Sequence, residues 1–459
     1  MSNETASLRA TDILTQYVVA LRHKSLPQAV VDQTKIVVLD TLAAILAASA
    51  PEYTASRIIK GFAQEAGGAP QASVAGLRER VPAVNAAFAN GLMADNVEMD
   101  DSHPRTGAHI AAAVVPAALA VAEWKRTPGA KLIEGVVAAY DVESRAILAA
   151  NPAAMYARGF HPSAVFGAFG ATTAASKLLE LDALQTRNAL GLAGSLASGL
   201  MAWETDPTQM TKSLQLGIAA RNGVTAALLA QAGFSGPPAI LEGRYNVLQA
   251  FSDRATMDPL TDELGTRFEI TLTGLKLYPV CRFLHAALDA FFEIQERERP
   301  KTEDIVQIVV KMPHAGVPII DNNELRSHSA QYVLSLAALR GELQIADLYR
   351  DERENPQVAA LMKRVRAMGD ADLDVDAAGR FSEPAVVEVT MEDGRVFVAR
   401  ADAASGDPEK ALSWDTVVHK LERLATPVVG RARVGEITRL VEELDALADV
   451  STLSALMRA

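Results

Sequence analysis

The chain has 459 residues, a formal net charge of −12 and a hydrophobic content of 49%. This length is sufficient for two or three domain-sized cores, and the composition is typical of a globular protein. The acidic balance argues against a surface that binds nucleic acid or anionic lipid, because both require a basic face. A single cysteine excludes an internal disulfide, and the first residues lack the pattern of a signal peptide, so we expect a cytoplasmic protein.

The stretch from Gln28 to about Phe251 is rich in alanine and leucine, with the spacing typical of packed helices. The longest apolar run, Ile110–Ala122, is too short to cross a bilayer and is interpreted as a buried core helix. Gly167 and Gly170 lack the Gly-Lys-Ser/Thr ending of a phosphate-binding loop, so we interpret them as sites of close helix packing. These patterns predict a large helical core.

The segment Glu98–His109 holds three carboxylates and two imidazoles between apolar stretches. Burying so many ionisable groups is unfavourable unless they are paired or used, so the segment predicts an active-site rim. Two alternatives stay open for parts of it. The Asp, Glu and His side chains could bind a metal, although no typical metal-ligand spacing is present. Asp101 and Ser102 could instead cap the helix that follows.

Two later residues stand at predicted helix starts. His161 precedes Pro162 and an apolar helix, where the positive end of the helix dipole favours a neutral imidazole base. A turn histidine without catalytic function is the alternative. Lys212 precedes a second long apolar helix and could hold a substrate carboxylate together with the helix end, or it could be a surface lysine. We expect Lys212→Ala to weaken substrate binding while leaving the thermal midpoint of unfolding nearly unchanged.

The pattern changes after about residue 268. Ile305–Met312 is a β-branched run, and Ala385–Met391 and Val396–Ala401 flank a turn sequence typical of a β-hairpin. Helical stretches are predicted between these strands, around residues 331–340 and 356–367. This combination predicts a smaller α+β module.

The fold prediction is therefore mainly α. A large all-helical domain covers residues 1–268, a smaller α+β lid domain covers 269–403, and helices return to the first domain over 404–459. A site served by both domains would lie in the cleft between them. The loops near 268–275 and 402–407 would be its hinges.

The α+β module also carries reactive side chains. Lys276 and Cys281 lie at its start, and Tyr332 lies at the start of a predicted helix. Cys281 could be a nucleophile, but free cysteines are more often small buried hydrophobes. Tyr332 is either a core tyrosine with a bonded hydroxyl or, near a lysine, a proton donor.

Five segments together resemble the MmgE/PrpD superfamily, and the resemblance covers nearly the whole chain. In chain order the segments are ANGLMADNVEMDDSHP, GFHPSAVFG, QMTKSLQLGIAARNG, LKLYPVCRFLHAALDAF and HSAQYVLS. The resemblance implies a homodimer. It implies a small di- or tricarboxylate substrate. The lack of metal-ligand spacing and of a dinucleotide fingerprint predicts no metal and no redox cofactor, and the acidic charge predicts no nucleic-acid or membrane partner.

The resemblance also implies roles for individual residues. It identifies four catalytic residues, namely His109, His161, Lys276 and Tyr332. It identifies four substrate-binding residues, namely Glu98, Ser102, His103 and Lys212. Glu98 and Ser102 depart from the aspartate and threonine of the cis-aconitate decarboxylases, and His103 stands near the place of a family tryptophan. These departures concern substrate identity.

The function that the resemblance implies is a cofactor-independent lyase of the dehydratase type. A base would remove a proton next to a carboxylate, while lysines and histidines neutralise the substrate. The main alternative is an epimerase of an iminodisuccinate-like dicarboxylate in the same fold. A cis-aconitate-type decarboxylase, a metal-dependent hydrolase and a helical scaffold that only binds a carboxylate are the further alternatives.

Overall fold

The computed structural model describes residues 9–374 and 383–459. The protein is 60% helical with small sheets, which confirms the mainly α prediction. It divides into two compact units. The first comprises the chain up to Asn96, together with Asp100–Thr273 and Ser413–Ala459, and the second comprises Val97–Met99 and Gly274–Leu412. The two boundaries fall five and nine residues later than those predicted from the sequence, and the second unit also takes Glu98 and Met99 from the acidic segment.

The first unit is built from long helices. In chain order they are α1 (Ala10–Ala20), α2 (Gln28–Ala48), α3 (Thr54–Glu65), α4 (Ala83–Asp95), α5 (Ile110–Lys125), α6 (Gly129–Ala150), α7 (Pro152–Ala157), α8 (Pro162–Leu178), α9 (Ala183–Leu196), α10 (Met210–Gln231) and α11 (Val247–Phe251). A two-residue strand, β1 (Asp101–Ser102), precedes α5. Helix α5 is buried from Ile110 to Glu123, because its alanines and valines leave no polar face for water.

Glycines allow α10 to pack closely against α4 and α8. A Cβ added at Gly217 would lie 2.6 Å from the carbonyl oxygen of Phe88 in α4. One added at Gly223 would lie 2.5 Å from the amide nitrogen of Thr172 in α8. Real side chains do not tolerate such contacts, so glycine is required at both positions. This packing places the first turn of α10 beside the last residue of α4, Asp95.

The second unit combines a sheet with short helices. Its elements are β2 (Gly274–Leu275), α12 (His285–Glu298), β3 (Ile305–Met312), α13 (Val317–Ile320), α14 (Ala330–Arg340), α15 (Ile345–Tyr349), α16 (Pro356–Met362), β4 (Val365–Gly369), β5 (Ala385–Met391) and β6 (Val396–Ala401). The four-stranded sheet has the order β4-β3-β5-β6. Strand β3 is parallel to β4 and antiparallel to β5, and β5 and β6 form the predicted hairpin.

One element of this unit was predicted wrongly. Residues 356–367 were expected to be one helix, but α16 ends at Met362 and Val365 begins β4. Val365 is buried and pairs with Ile308 of β3. Short apolar runs fit either structure, and the free backbone of β3 decides in favour of a strand.

The chain then returns to the first unit through α17 (Trp414–Val429), α18 (Arg431–Glu442) and α19 (Ser451–Ala455). Ser413 caps α17 by accepting a hydrogen bond from the Thr416 amide. Lys420 of α17 forms a buried ion pair with Asp40 of α2 at 2.6 Å. Over the described residues, no helix is both long and apolar enough to cross a membrane.

Candidate active site

His109 lies immediately before α5 and its backbone amide donates to Ser163 Oγ, in the first turn of α8, at 3.1 Å. Its ring Nδ1 is 2.8 Å from the Asp101 carbonyl oxygen and 2.9 Å from Asp100 Oδ2. A carbonyl oxygen only accepts hydrogen bonds, so Nδ1 carries a proton in the neutral ring. Nε2 is then the nitrogen that gains and loses a proton, as a general base requires.

The Asp101 side chain has a structural role. Its Oδ1 accepts from the amide of Ala111 at 2.9 Å, which caps α5. Its Oδ2 accepts from the hydroxyls of Tyr140 and Thr273, at 2.6 and 2.9 Å. Burial raises the pKa of Asp101 to about 6, against the effect of these hydrogen bonds. The capping alternative therefore applies to Asp101, whereas Ser102 is buried in β1 and its role in substrate binding stays a prediction.

Lys212 lies in the first turn of α10 and is buried. Its Nζ donates to Asp95 Oδ1 at 2.7 Å, and Ser213 Oγ donates to Asp95 Oδ2 at 2.9 Å. The Lys212 side chain is only 3% exposed, so the surface-lysine alternative is wrong. The buried pair changes the expectation for Lys212→Ala: the substitution leaves a buried carboxylate without this cation, so we now expect a lower thermal midpoint of unfolding.

Asp95 connects Lys212 to His109. One oxygen from each of Asp95 and Asp100 and one ring nitrogen of His109 all lie within 4.8 Å of one another. Such a group could hold a cation, but the Lys212 ammonium already supplies positive charge at Asp95. The expectation that the protein works without a metal stays a prediction.

His161 lies immediately before α8 and points toward α10. Its Nδ1 is 2.9 Å from Gln215 Oε1, and Gln215 Nε2 donates to the Leu200 carbonyl. The amide oxygen therefore faces the ring and accepts, so Nδ1 of His161 carries a proton, as in His109.

Trp203 brings His161 and Lys212 to one place. It lies in a 3-10 helix, Met201–Thr205, just before α10. The centroid of its indole ring is 5.8 Å from the centroid of the His161 ring and 6.0 Å from Lys212 Nζ. His161 and Lys212 thus face the same side of the helical unit. No local pattern pointed to Trp203, Asp95 or Gln215, because their contacts come from distant segments.

Three helix N-termini meet in this region. His109, His161 and Lys212 mark the starts of α5, α8 and α10, which have 16, 17 and 22 residues. Each helix start presents backbone amides and the positive end of its dipole. The arrangement favours an anionic ligand such as a carboxylate, and the carboxylates of Asp95 and Asp100 offset part of that positive potential.

His103 has a different environment. Its side chain is fully buried, with Nε2 3.4 Å from Glu269 Oε2. Burial alone would raise the pKa of Glu269, but its interactions with His103, Arg105 and Arg267 lower it to about 2. The His103 carbonyl also closes a turn by accepting from the amides of Thr106 and Gly107. The His103 ring therefore supports the loop in this conformation, and its role in substrate binding stays a prediction.

The second unit holds a further buried ion pair. Lys276 Nζ donates to Glu98 Oε2 at 2.7 Å, and both side chains are buried. The longer carboxylate of Glu98 thus neutralises Lys276 in this conformation. Burial raises the pKa of the Cys281 thiol to about 12, which disfavours a thiolate and supports the small-hydrophobe alternative. The catalytic role of Lys276 and the substrate-binding role of Glu98 stay predictions.

Tyr332 is fully buried in the second unit. Its hydroxyl lies 3.0 and 2.9 Å from the carbonyl oxygens of Asp347 and Arg350, and it accepts from the Glu352 amide at 3.2 Å. Burial raises the pKa of this phenol. These contacts match the core-tyrosine alternative, while a role in proton donation stays a prediction.

Comparison with known proteins places these features in a family. Residues 12–260 match the MmgE/PrpD N-terminal domain and residues 278–446 match the MmgE/PrpD C-terminal domain. The cis-aconitate decarboxylase of Homo sapiens is 28% identical over 457 residues, covering 94% of this chain and 91% of the relative. That of Aspergillus terreus is 27% identical over 464 residues, covering 94% and 92%.

A mitochondrial 2-methylcitrate dehydratase from Yarrowia lipolytica is 24% identical over 363 residues, covering 70% of this chain and 66% of the relative. All three relatives are enzymes, and the family matches extend over most of the sequence. The chain belongs to the MmgE/PrpD family.

Proposed function

We propose that the protein is a cofactor-independent lyase that removes a proton next to a carboxylate of a small di- or tricarboxylic acid. The observation that carries this proposal is the meeting of His109, His161 and Lys212 at three helix starts. Two imidazoles with Nδ1 protonated beside an ammonium group form an acid–base site next to an anion site. Family membership and the enzymatic relatives support it.

The anion site would hold one substrate carboxylate. The Lys212 ammonium and the first amides of α10 would neutralise it, which lowers the energy of a carbanion or enediolate on the adjacent carbon. Burial strengthens this effect, because fewer water molecules screen the charges. The carboxylate would compete with Asp95 for Lys212.

The proton would be taken by Nε2 of His109. The carbonyl of Asp101 keeps the opposite nitrogen protonated, so the lone pair stays on Nε2. In a dehydration the carbon–hydrogen bond breaks, the electron pair forms the double bond, and the β carbon–oxygen bond breaks. His161, in its imidazolium form with a second proton on Nε2, would give that proton to the departing hydroxide, so that water leaves and the neutral ring remains.

Decarboxylation is the second candidate, and the specific observation in its favour is the similarity to cis-aconitate decarboxylases over more than nine-tenths of the chain. In that reaction a carbon–carbon bond breaks, carbon dioxide leaves, and a histidine protonates the carbanion. Epimerisation would use the same two histidines, one removing and one returning the proton.

The reactions can be separated in one experiment. The purified protein is mixed in deuterated water with β-hydroxy tricarboxylates, cis-aconitate and imino-dicarboxylates, and the products are followed by NMR and mass spectrometry. Dehydration yields an alkene, decarboxylation yields carbon dioxide, and epimerisation yields deuterium exchange with the carbon skeleton intact. A protein that exchanges and converts none of these acids would contradict the proposal.

The proposal also includes two further expectations, of which the sequence pattern predicts the first and the resemblance implies the second. The enzyme is expected to keep its activity after treatment with a chelator, as measured together with elemental analysis. It is expected to be a homodimer in solution, as measured by light scattering. Activity that is lost to the chelator and restored by one metal ion would instead favour the metal-dependent alternative.

A further inference from the structure

We propose that Asp100 is the residue that makes His109 an effective base. It would do so as a positioning residue, by stabilising the protonated imidazole, and would not touch the substrate. The inference rests on the proposed function for its catalytic meaning. The Asp100 carboxylate is fully buried, and its Oδ2 lies 2.9 Å from Nδ1 of His109.

The neighbouring aspartate already performs the structural tasks. The Asp101 carboxylate caps α5, and its backbone carbonyl fixes the Nδ1-protonated form of the ring. What Asp100 adds at the same nitrogen is negative charge. A carboxylate at this distance favours the charged form of a histidine, and it raises the affinity of Nε2 for a proton in the transition state.

The charged groups around the His109 ring support these separate roles of Asp100 and Asp101. From α4, Asp95 faces the cluster, and its carboxylate is paired with Lys212 of α10. From α8, His161 faces the same region through Trp203. The Asp101 carboxylate lies at the start of α5 with hydrogen bonds from Tyr140 and Thr273. Asp100 is thus a buried carboxylate within 2.9 Å of the His109 ring, whereas Asp95 is paired with Lys212.

Burial gives the pair its strength. A fully buried carboxylate is costly unless a positive charge compensates it. Protonation of His109 supplies that charge at 2.9 Å. The step that loads a proton onto Nε2 is therefore also the step that completes a buried ion pair, and the energy of the pair is gained during catalysis.

The first test replaces Asp100 with asparagine, which keeps the shape and removes the charge. Asp100→Asn should lower kcat/KM about 100-fold with KM nearly unchanged, since the loss is in proton transfer. The acidic limb of the kcat/KM profile should move to lower pH by about one unit. Asp100→Glu, which retains the charge, should recover part of the activity.

The matched control is Glu123→Gln at the other end of α5. Glu123 is also a buried carboxylate, and it accepts from the amide and hydroxyl of Ser73 at 2.7 Å. Like Asp100→Asn, this variant removes one buried carboxylate charge, but at the end of α5 that is remote from His109, so it should lose stability while keeping the acidic limb of the wild-type pH profile.

A second measurement needs no substrate. Histidine labelled with nitrogen-15 reports the protonated nitrogen and the protonation midpoint of His109 in the free protein, with its signal assigned from His109→Gln. The Nδ1-protonated form is expected, with a midpoint that falls in Asp100→Asn and stays in Glu123→Gln. An unchanged midpoint in Asp100→Asn would overturn the inference.

The outcomes keep the two proposals separate. A wild-type protein that converts none of the acids, yet shows the midpoint shift in Asp100→Asn, would contradict the proposed function and support the Asp100–His109 coupling. An active wild type whose Asp100→Asn variant keeps full activity and the same pH profile would contradict the role of Asp100 alone. If Asp100→Asn does not fold, Asp100→Ser in the same NMR experiment gives the answer.

Discussion

Two buried lysines of the helical unit have similar exposure and different surroundings. Lys212 lies at the start of α10 with its Nζ on Asp95, and Lys177 lies at the end of α8 with its Nζ 3.5 Å from Glu134. Their side chains are 3% and 4% exposed. Burial and a carboxylate partner therefore do not distinguish a functional lysine from a structural one.

The difference lies in the helix ends that the two ammonium groups face. Lys177 donates to the carbonyl oxygens of Val18 and Val19 in the last turn of α1 and of Leu21 just after it. Carbonyl groups at a helix end need such donors, so Lys177 stabilises the fold. Lys212 stands at the positive end of α10, where a cation is unfavourable. The Asp95 carboxylate compensates the charge of Lys212 at this helix end, and under the proposed function a substrate carboxylate does so as well.

The largest expected effect is on catalysis. Lys212→Met should lower kcat/KM about 1000-fold, because it removes the charge that stabilises the developing carbanion. The double variant Asp95→Asn with Lys212→Met removes the buried ion pair as a whole, and it should stay inactive while regaining stability. Both variants are assayed with the acid that the wild type converts. If either has wild-type kinetics, Lys212 is a structural residue, as Lys177 is.

The reverse result is expected for Lys177. Lys177→Met should lower the free energy of unfolding by about 3–5 kcal/mol, because Glu134 and the carbonyl groups of α1 lose a buried cation. Its kcat/KM should stay within about twofold of the wild type, since α8 still presents His161 at its other end. Chemical unfolding and steady-state kinetics on one preparation test both. A large loss of activity without a loss of stability would contradict the structural role of Lys177.

A smaller effect is expected at the His161 end of α8. Gln215→Leu removes the acceptor that holds Nδ1 of His161 in its protonated form. In this variant the His161 imidazole can carry its proton on either nitrogen, so part of the enzyme is in the wrong form. We expect kcat to fall about tenfold and KM to stay nearly unchanged. Gln215→Glu keeps an acceptor at this position and should retain more activity. Equal activity of the two variants would argue against a catalytic role for His161.

The smallest effect concerns Glu143 of α6, a buried carboxyl that faces the middle of α8. Both oxygens of Glu143 lack a hydrogen-bond partner among the described residues, and the carboxyl packs against Gly170. Burial raises the pKa of Glu143 well above its usual 4.5. The folded protein therefore holds this proton at a pH where the unfolded chain has lost it.

The sign of the pH dependence follows from this raised pKa. The folded state binds more protons than the unfolded state above pH 4.5, so the contribution of Glu143 to stability falls as the pH rises. Glu143→Gln cannot ionise and should exceed the wild type by about 1–2 kcal/mol at pH 8, with the difference shrinking toward pH 5. A pH-independent difference in the free energy of unfolding would contradict the assignment.

Much of the fold was predictable from local patterns. Helical periodicity indicated the mainly α class, and the bounds of β3, β5 and β6 match the predicted strands. The starts of α5 and α8 were predicted too, because a proline or a polar residue before an apolar run is a local signal. Strand β4 was missed, since a five-residue strand depends on the neighbour that pairs with it.

The sequence by itself determined the family, the helical class and which residues stand at the helix starts, because helix periodicity, capping and the five family segments are all properties of neighbouring residues. Tertiary structure decided which of the charged residues meet. His103 and His109 are six positions apart, yet His103 binds Glu269 and His109 lies against Asp100. Lys212 is buried because glycines let α10 approach the end of α4. There its Nζ lies 2.7 Å from Asp95 Oδ1. Pairing of buried charges depends on the packing of distant helices, and no local pattern contains that information.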